Sequence, residues 1–190
     1  MDNSYNELEE LLLNYHNDKT KISVGNRTTL IKNKKRPKSL VLGVRSLKFV
    51  NARKDKSLNP HLTMHTQTDI GFKIYKLSYE IIKKSFPDFN FNQIIINYNT
   101  NFLIHKDSRN KDLDSVIFSV GNHKGGGLCL YDNDKNLIEI KYIKKNPIKF
   151  SGKITYHSTE PFEGIRYSVV AYMIKTNLHY NPYTKQIEDA

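Results

Sequence analysis

His105-Lys106-Asp107 sets an imidazole and a carboxylate two positions apart. On an extended segment such side chains point the same way, so the two groups converge while Lys106 faces away. Seven histidines and eleven aspartates in 190 residues would give about 0.4 such pairs by chance, so alone the pair reads as an ordinary surface loop. Its place soon after Ile94-Ile95-Ile96, the most apolar strand-like run, adds weight. His157 follows fifty residues after Asp107, at the end of an expected strand. Two histidines and one carboxylate make the facial set that suits non-haem Fe(II), leaving positions open for a bidentate ligand and dioxygen.

Arg166-Tyr167-Ser168 supplies a different chemistry. Pro161 and Gly164 mark a turn between His157 and Arg166, so a strand, a tight connection and a return strand would bring Arg166 back beside His157. Arg166 and Ser168 then share a face, where a guanidinium fork and a hydroxyl suit a buried carboxylate. Standing alone, Arg166 could equally pair with Glu160 or Glu163 at the surface. A competing metal set, His61 and His65 with Asp69, requires that stretch to be helical.

These groups need elements to hold them. Leu8, Leu11, Leu12 and Tyr15 recur at helical spacing, which predicts a helix over 5–16. The segment 19–39 is polar and basic, and reads as an arm or linker. A first strand is expected at Ser39–Val50, and a helix over Phe72–Phe86 closed by Pro87. Short β-rich runs follow at Gln93–Tyr98, Ser115–Val120, Leu128–Tyr131, Leu137–Ile143, Lys153–Tyr156 and Tyr167–Ile174. A leading helix followed by about six closely spaced strands points to a mainly β chain with flanking helices, a double-layer antiparallel sheet of jelly-roll type. The expected division is an N-terminal helix and basic arm over 1–39, then one domain over 40–190.

Charge and composition bound the partners. Residues 1–18 carry −5, residues 19–58 carry +12 and residues 59–190 carry +4. The Lys19–Lys56 block can form an electrostatic footprint for nucleic acid, although a charge run is more often solvated surface. The single cysteine, Cys129, allows neither an internal disulfide nor a thiolate metal cluster, so any metal must use nitrogen and oxygen ligands. No apolar stretch approaches the length of a membrane span. An intracellular, soluble location, cytoplasmic or nuclear, is expected.

The order His105-x-Asp107, His157, Arg166-x-Ser168 resembles the 2-oxoglutarate/Fe(II) oxygenase superfamily. The stretches Asn99–Asn110, Ser115–Gly121, Gly125–Leu128 and His157-Ser-Thr-Glu-Pro161-Phe162-Glu-Gly164-Ile-Arg166-Tyr167-Ser168 are more closely similar to its TET/JBP-like branch. The resemblance covers roughly residues 93–174 and leaves the first ninety unplaced. It implies a double-stranded β-helix (cupin-like) and hydroxylation coupled to decarboxylation of 2-oxoglutarate, with ascorbate stimulatory. It also implies Fe(II) on His105, Asp107 and His157, and the distal carboxylate of 2-oxoglutarate on Arg166 and Ser168. In that branch the substrate is a nucleic-acid pyrimidine methyl group. Asn97, Asn99 and Asn101 share the parity of His105 on an extended segment, which makes Asn97 and Asn99 candidates for reaching the co-substrate. Asn110 would fix the loop after the ligands. The Gly125–Gly127 run lacks a phosphate-loop context and suits a tight turn or a close backbone approach. Two other readings stay open: an oxygenase acting on a protein side chain or small molecule, and a non-catalytic jelly-roll module that binds nucleic acid.

Overall fold

Three six-residue runs, Gln93–Tyr98, Ser115–Val120 and Tyr167–Tyr172, are buried at nearly every position instead of every second one. A strand apolar on both faces must be covered on both, so these runs belong in the middle layer of a stack. The computed structural model, which describes residues 3–17, 38–46, 59–107, 110–111 and 114–189, places them there. We number the strands β1 (Lys38–Gly43), β2 (Gln93–Tyr98), β3 (Ser115–Val120), β4 (His123–Gly125), β5 (Leu128–Tyr131), β6 (Leu137–Lys141), β7 (Ile148–Phe150), β8 (Tyr156–Thr159), β9 (Phe162–Gly164), β10 (Tyr167–Tyr172), β11 (Leu178–Asn181) and β12 (Gln186–Asp189). The helices are α1 (Ser4–Asn17) and α2 (Asp69–Ser85).

The major sheet has the order β1-β2-β10-β3-β7 and the minor sheet β6-β5-β8, every neighbouring pair antiparallel. One face of the major sheet, with Ile94, Ile96, Phe118, Val120, Val169 and Ala171, packs with both helices into the main core. The opposite face, with Ile95, Ile117, Ser168 and Val170, meets Leu128 and His157 of the minor sheet across a cavity. The expected jelly roll is therefore present, with the helices on its outer layer and the cavity inside it.

Local chemistry explains the helices. The Thr68 hydroxyl accepts the Gly71 N–H at the start of α2, and Asp69 sits in the first, dipole-favoured turn. Ile74, Tyr75, Ser78, Ile81 and Ile82 recur at helical spacing and are buried against the sheet. Leu8, Leu12 and Tyr15 of α1 join the same core, so α1 shares the core of the domain across the boundary drawn from sequence at residue 39. Of the basic arm, residues 19–37 lie outside the described residues.

Several boundaries differ from expectation. The first strand ends at Gly43, and residues 47–50 of its expected length lie outside the described residues. Lys153–Tyr156 is not a strand: the Ile154 and Thr155 N–H groups both donate to the Ser151 carbonyl and close a turn. Its alternation imitates a strand, yet the Ile154 side chain faces solvent. The strand begins at Tyr156, so His157 lies inside β8. The runs at 137 and 167 stop at Lys141 and Tyr172. Strands β4, β7, β9, β11 and β12 were not foreseen, because three or four residues are too few for a period to show.

If α1 belongs to this core, Leu8→Ala will cost about 2–5 kcal/mol in urea denaturation, as for other buried leucines. A cost within about 0.5 kcal/mol, the usual effect of a surface change, would remove α1 from the core.

Candidate active site

The geometry of the site starts from two backbone pairings. His105 and His157 form an antiparallel bridge in which each backbone N–H donates to the other's carbonyl at 2.9 Å. That pairing sets the two rings side by side, centroids 4.3 Å apart. Asp107 is fixed from the other direction, its backbone N–H donating to the Gly152 carbonyl at 2.9 Å. Gly152 leaves the carboxylate its place: a Cβ there would stand 2.9 Å from Asp107 Oδ2 and push it aside. Lys106 points away, its ammonium 4.1 Å from the centroid of the Tyr156 ring.

The tautomers follow from the hydrogen bonds. Nδ1 of His105 lies 2.7 Å from the Leu103 carbonyl and Nδ1 of His157 lies 3.0 Å from the Thr155 carbonyl. A carbonyl only accepts, so both Nδ1 atoms carry the proton and both Nε2 atoms of the neutral rings present a lone pair. Those lone pairs face Asp107, with Nε2 of His105 3.8 Å from Oδ1 and Nε2 of His157 3.8 Å from Oδ2. Neither distance is a hydrogen bond. Burial, with the neighbouring His105 second, holds the His157 imidazole below its usual pKa, while Asp107 and the Thr155 carbonyl oppose the shift. Neutral rings aimed at a carboxylate leave three electron-rich atoms converging on one point, which is what a divalent cation requires. Among the described residues His105, Asp107 and His157 are the one group so arranged, the three ligand atoms lying within 4.8 Å of one another. The His61/His65/Asp69 set does not assemble; the His65 ring nitrogen is instead 2.7 Å from the Tyr15 hydroxyl.

Further into the cavity lies Arg166, 1% exposed. Its Nε donates to the Gly126 carbonyl at 3.0 Å, and its guanidinium lies over the Phe162 ring, 5.2 Å from the centroid. Nη1 is buried without a hydrogen-bond partner. Burial pushes the pKa down to about 10, with Glu160 opposing, so the group remains charged at neutral pH. An unpaired buried guanidinium N–H is costly unless a ligand takes it, and an anion is the fitting ligand. Ser168 and Asn97 are direct cross-strand partners between β10 and β2, and both line the cavity with Arg166. The Asn97 carbonyl oxygen already accepts from Ser39 Oγ at 2.7 Å, which leaves its NH₂ as the donor toward the cavity.

Asn99 is placed differently. Its Oδ1 accepts the Arg166 backbone N–H at 2.7 Å, and its own N–H donates to the Arg166 carbonyl at 2.8 Å. It braces the segment that carries Arg166, just ahead of β10, and does not line the cavity, so a direct reach to a co-substrate has no geometric support. Asn110 does line it, with Nδ2 donating to Ser115 Oγ at 3.1 Å. Residues the sequence did not single out complete the walls: Phe102 and Phe150 pack on the rings of His105 and His157 at 5.6 and 5.1 Å. Of the Lys19–Lys56 block only residues 38–46 are described.

This architecture has solved counterparts. A prolyl hydroxylase from Trichoplax adhaerens, solved with a hypoxia inducible factor peptide fragment, matches with a TM-score of 0.57 at 14% identity, over 90% of this chain and 78% of that one. OsALKBH1 matches with a TM-score of 0.51 at 11% identity, over 91% and 92%. The chain has the double-stranded β-helix fold. NgTET1 in complex with 5mC DNA shares it, with a TM-score of 0.51 at 14% identity, over 90% of this chain and 68% of its own. Neither a protein-family model nor a curated protein matches the chain in sequence. This is the fold that the resemblance in residues 93–174 implies.

Gly126 carries a prediction. It sits at φ 78°, and a Cβ there would stand 2.7 Å from Arg166 Nε and 2.8 Å from Cδ. Gly126→Ala should therefore cost about 1–3 kcal/mol in chemical denaturation. A cost near zero would mean that Arg166 is not seated on this turn.

Proposed function

We propose that the chain is an Fe(II)- and 2-oxoglutarate-dependent dioxygenase that hydroxylates a nucleic-acid base, such as a pyrimidine methyl group. The observation that carries the reading is the pairing of two vacant demands in one cavity: three electron-rich atoms lacking a cation and a buried guanidinium lacking an anion. A divalent ion answers the first and a dicarboxylate reaching past it answers the second. Fe(II) and 2-oxoglutarate, bound there, supply oxidative decarboxylation coupled to hydroxylation, with succinate and carbon dioxide as products.

The chain's own residues bind, orient and exclude water. The Leu103 and Thr155 carbonyls hold both imidazoles in the tautomer that exposes Nε2 to the metal. Arg166 holds the distal carboxylate, with the Ser168 hydroxyl and Asn97 amide beside it. Ile117, Leu128, Phe150 and Val170 line the space between these two stations and keep it apolar. A metal so enclosed cannot reach into a stacked duplex, so a base substrate must be flipped out or unpaired. The +12 of residues 19–58 supports a phosphate-binding role for that segment. The fold shared with NgTET1, solved with 5mC DNA, supports the same substrate class. A second reading, oxidation of a protein side chain, is favoured by the higher TM-score of the Trichoplax prolyl hydroxylase.

Purified protein supplied with Fe(II), 2-oxoglutarate and ascorbate should form succinate, and His105→Ala should abolish it. Arg166→Ala should weaken 2-oxoglutarate binding by roughly 10–150-fold, the worth of a charge-assisted pair, and Ser168→Ala by about 5-fold. Oligonucleotides should raise succinate yield and gain a hydroxyl by mass, with affinity falling as salt rises. Stimulation by peptides alone would select the second reading, and no iron-dependent turnover or ligand binding would reject both.

A further inference from the structure

The minor sheet ends in an open edge. β6 is last in the order β6-β5-β8, and among the described residues no strand pairs with its outer side. Its sequence, Leu137-Ile-Glu-Ile-Lys141 followed by Tyr142, combines two opposite charges and a bulge at Ile138 with four apolar or aromatic side chains. Such edges are normally shortened, charged or covered, because an apolar one is a template for further pairing. Here Leu137, Ile138, Ile140 and Tyr142 are 53, 66, 46 and 69% exposed.

We propose that β6 pairs with β6 of a second copy of this chain, antiparallel and centred on Ile140, to form a two-fold dimer. The proposal is independent of the activity assigned above. The case rests on what the strand meets when it is laid against itself. With Ile140 on the dyad, residue 139 stands opposite 141 of the partner. Side chains alternate over Glu139–Lys141, so Glu139 and Lys141 share one face and Ile140 takes the other; Ile138 is the extra residue of a bulge against β5, and Tyr142 follows the strand.

On the charged face, Glu139 and Lys141 already pair along the strand, Lys141 Nζ lying 3.0 Å from Glu139 Oε2. Self-pairing sets this pair against its own inverse, giving a square of four charges in which every neighbour has the opposite sign. On the opposite face Ile140 meets itself, with the exposed Ile138 and Tyr142 flanking it. No other two-fold register does both. Centring on Glu139 opposes two carboxylates, and centring on Lys141 opposes two ammonium groups, and like charges directly opposite destabilise a ladder.

The result is an isologous contact that closes, as two-fold dimers require, and fuses the two three-stranded sheets into one of six. It also buries the edge that would otherwise be open to unspecific pairing. One strand per subunit covers less than the ~800 Å² per partner of a standard interface, so the association is expected to be concentration-dependent in the micromolar range.

The test is sedimentation equilibrium on the full chain and three variants. The unaltered chain should shift from monomer to dimer as concentration rises. Glu139→Lys sets like charges opposite each other in both cross-strand pairs, and Lys141→Glu does the same with the sign reversed. Each should raise the dissociation constant at least about 10-fold, the effect of ~1.4 kcal/mol. The double variant Glu139→Lys/Lys141→Glu restores the alternating square and should restore the dimer. So should an equimolar mixture of the two single variants. Circular dichroism confirms that each variant is folded, as substitutions on an exposed edge predict. A chain that stays monomeric to about 1 mM overturns the proposal. So does a dimer indifferent to both single variants, or a double variant that stays as weak as they are.

Discussion

Two imidazole Nε2 atoms and a carboxylate converge in this molecule without a hydrogen bond between them. Each Nδ1–H is committed to a backbone carbonyl, so each Nε2 meets Asp107 as one acceptor meeting another. Without a cation that convergence is repulsive, and the fold has to hold it by other means. It does so through the backbone: the mutual His105–His157 bridge on one side and the Asp107 N–H on the Gly152 carbonyl on the other. The side chains are thus presented by main-chain hydrogen bonds that do not depend on the ligand, which is how a preorganised site is built.

The rest of the domain follows from the need to keep that point enclosed and reachable at once. The major sheet serves two cores with alternate residues of the same strands. On β10, Tyr167, Val169 and Ala171 bind the sheet to the helices, while Ser168 and Val170 face the cavity. A slip of one residue would exchange these sets, placing Tyr167 and Val169 in the cavity and Ser168 in the helix-packed core. Stability and chemistry are therefore coupled through register. Arg166 shows the same economy: Asn99 fixes its backbone, Gly126 its Nε and Phe162 the face of its guanidinium, leaving Nη1 buried and ready for a ligand.

Sequence order alone disclosed much of this. The central strands were legible because they are long, β-branched and continuous, and α2 because its apolar stripe and Pro87 mark it, although it starts at Asp69, three residues before Phe72. The residues that gather in the cavity (His105, Asp107, His157, Arg166, Ser168 and Asn97) could be named because their parity along strands is readable. What could not be read was set by contacts distant in sequence. Lys153–Tyr156 alternates like a strand, but the Ser151 carbonyl closes it into a turn. Asn99 shares the parity of His105 only if the segment is extended, and its φ of 42° breaks that extension and turns the amide onto Arg166. Gly152 and Gly126 carry no chemistry of their own; their meaning is the space they leave for Asp107 and Arg166.

The central claim is that one cation and one dicarboxylate complete this cavity together. Anaerobic titration of the full chain with Fe(II) and then 2-oxoglutarate, followed by visible absorption, tests it directly. A metal-to-ligand charge-transfer band should grow to one equivalent only when both are present, and Asp107→Ala should remove it. Absence of the band in a folded protein, or a band that survives Asp107→Ala unchanged, would contradict the account.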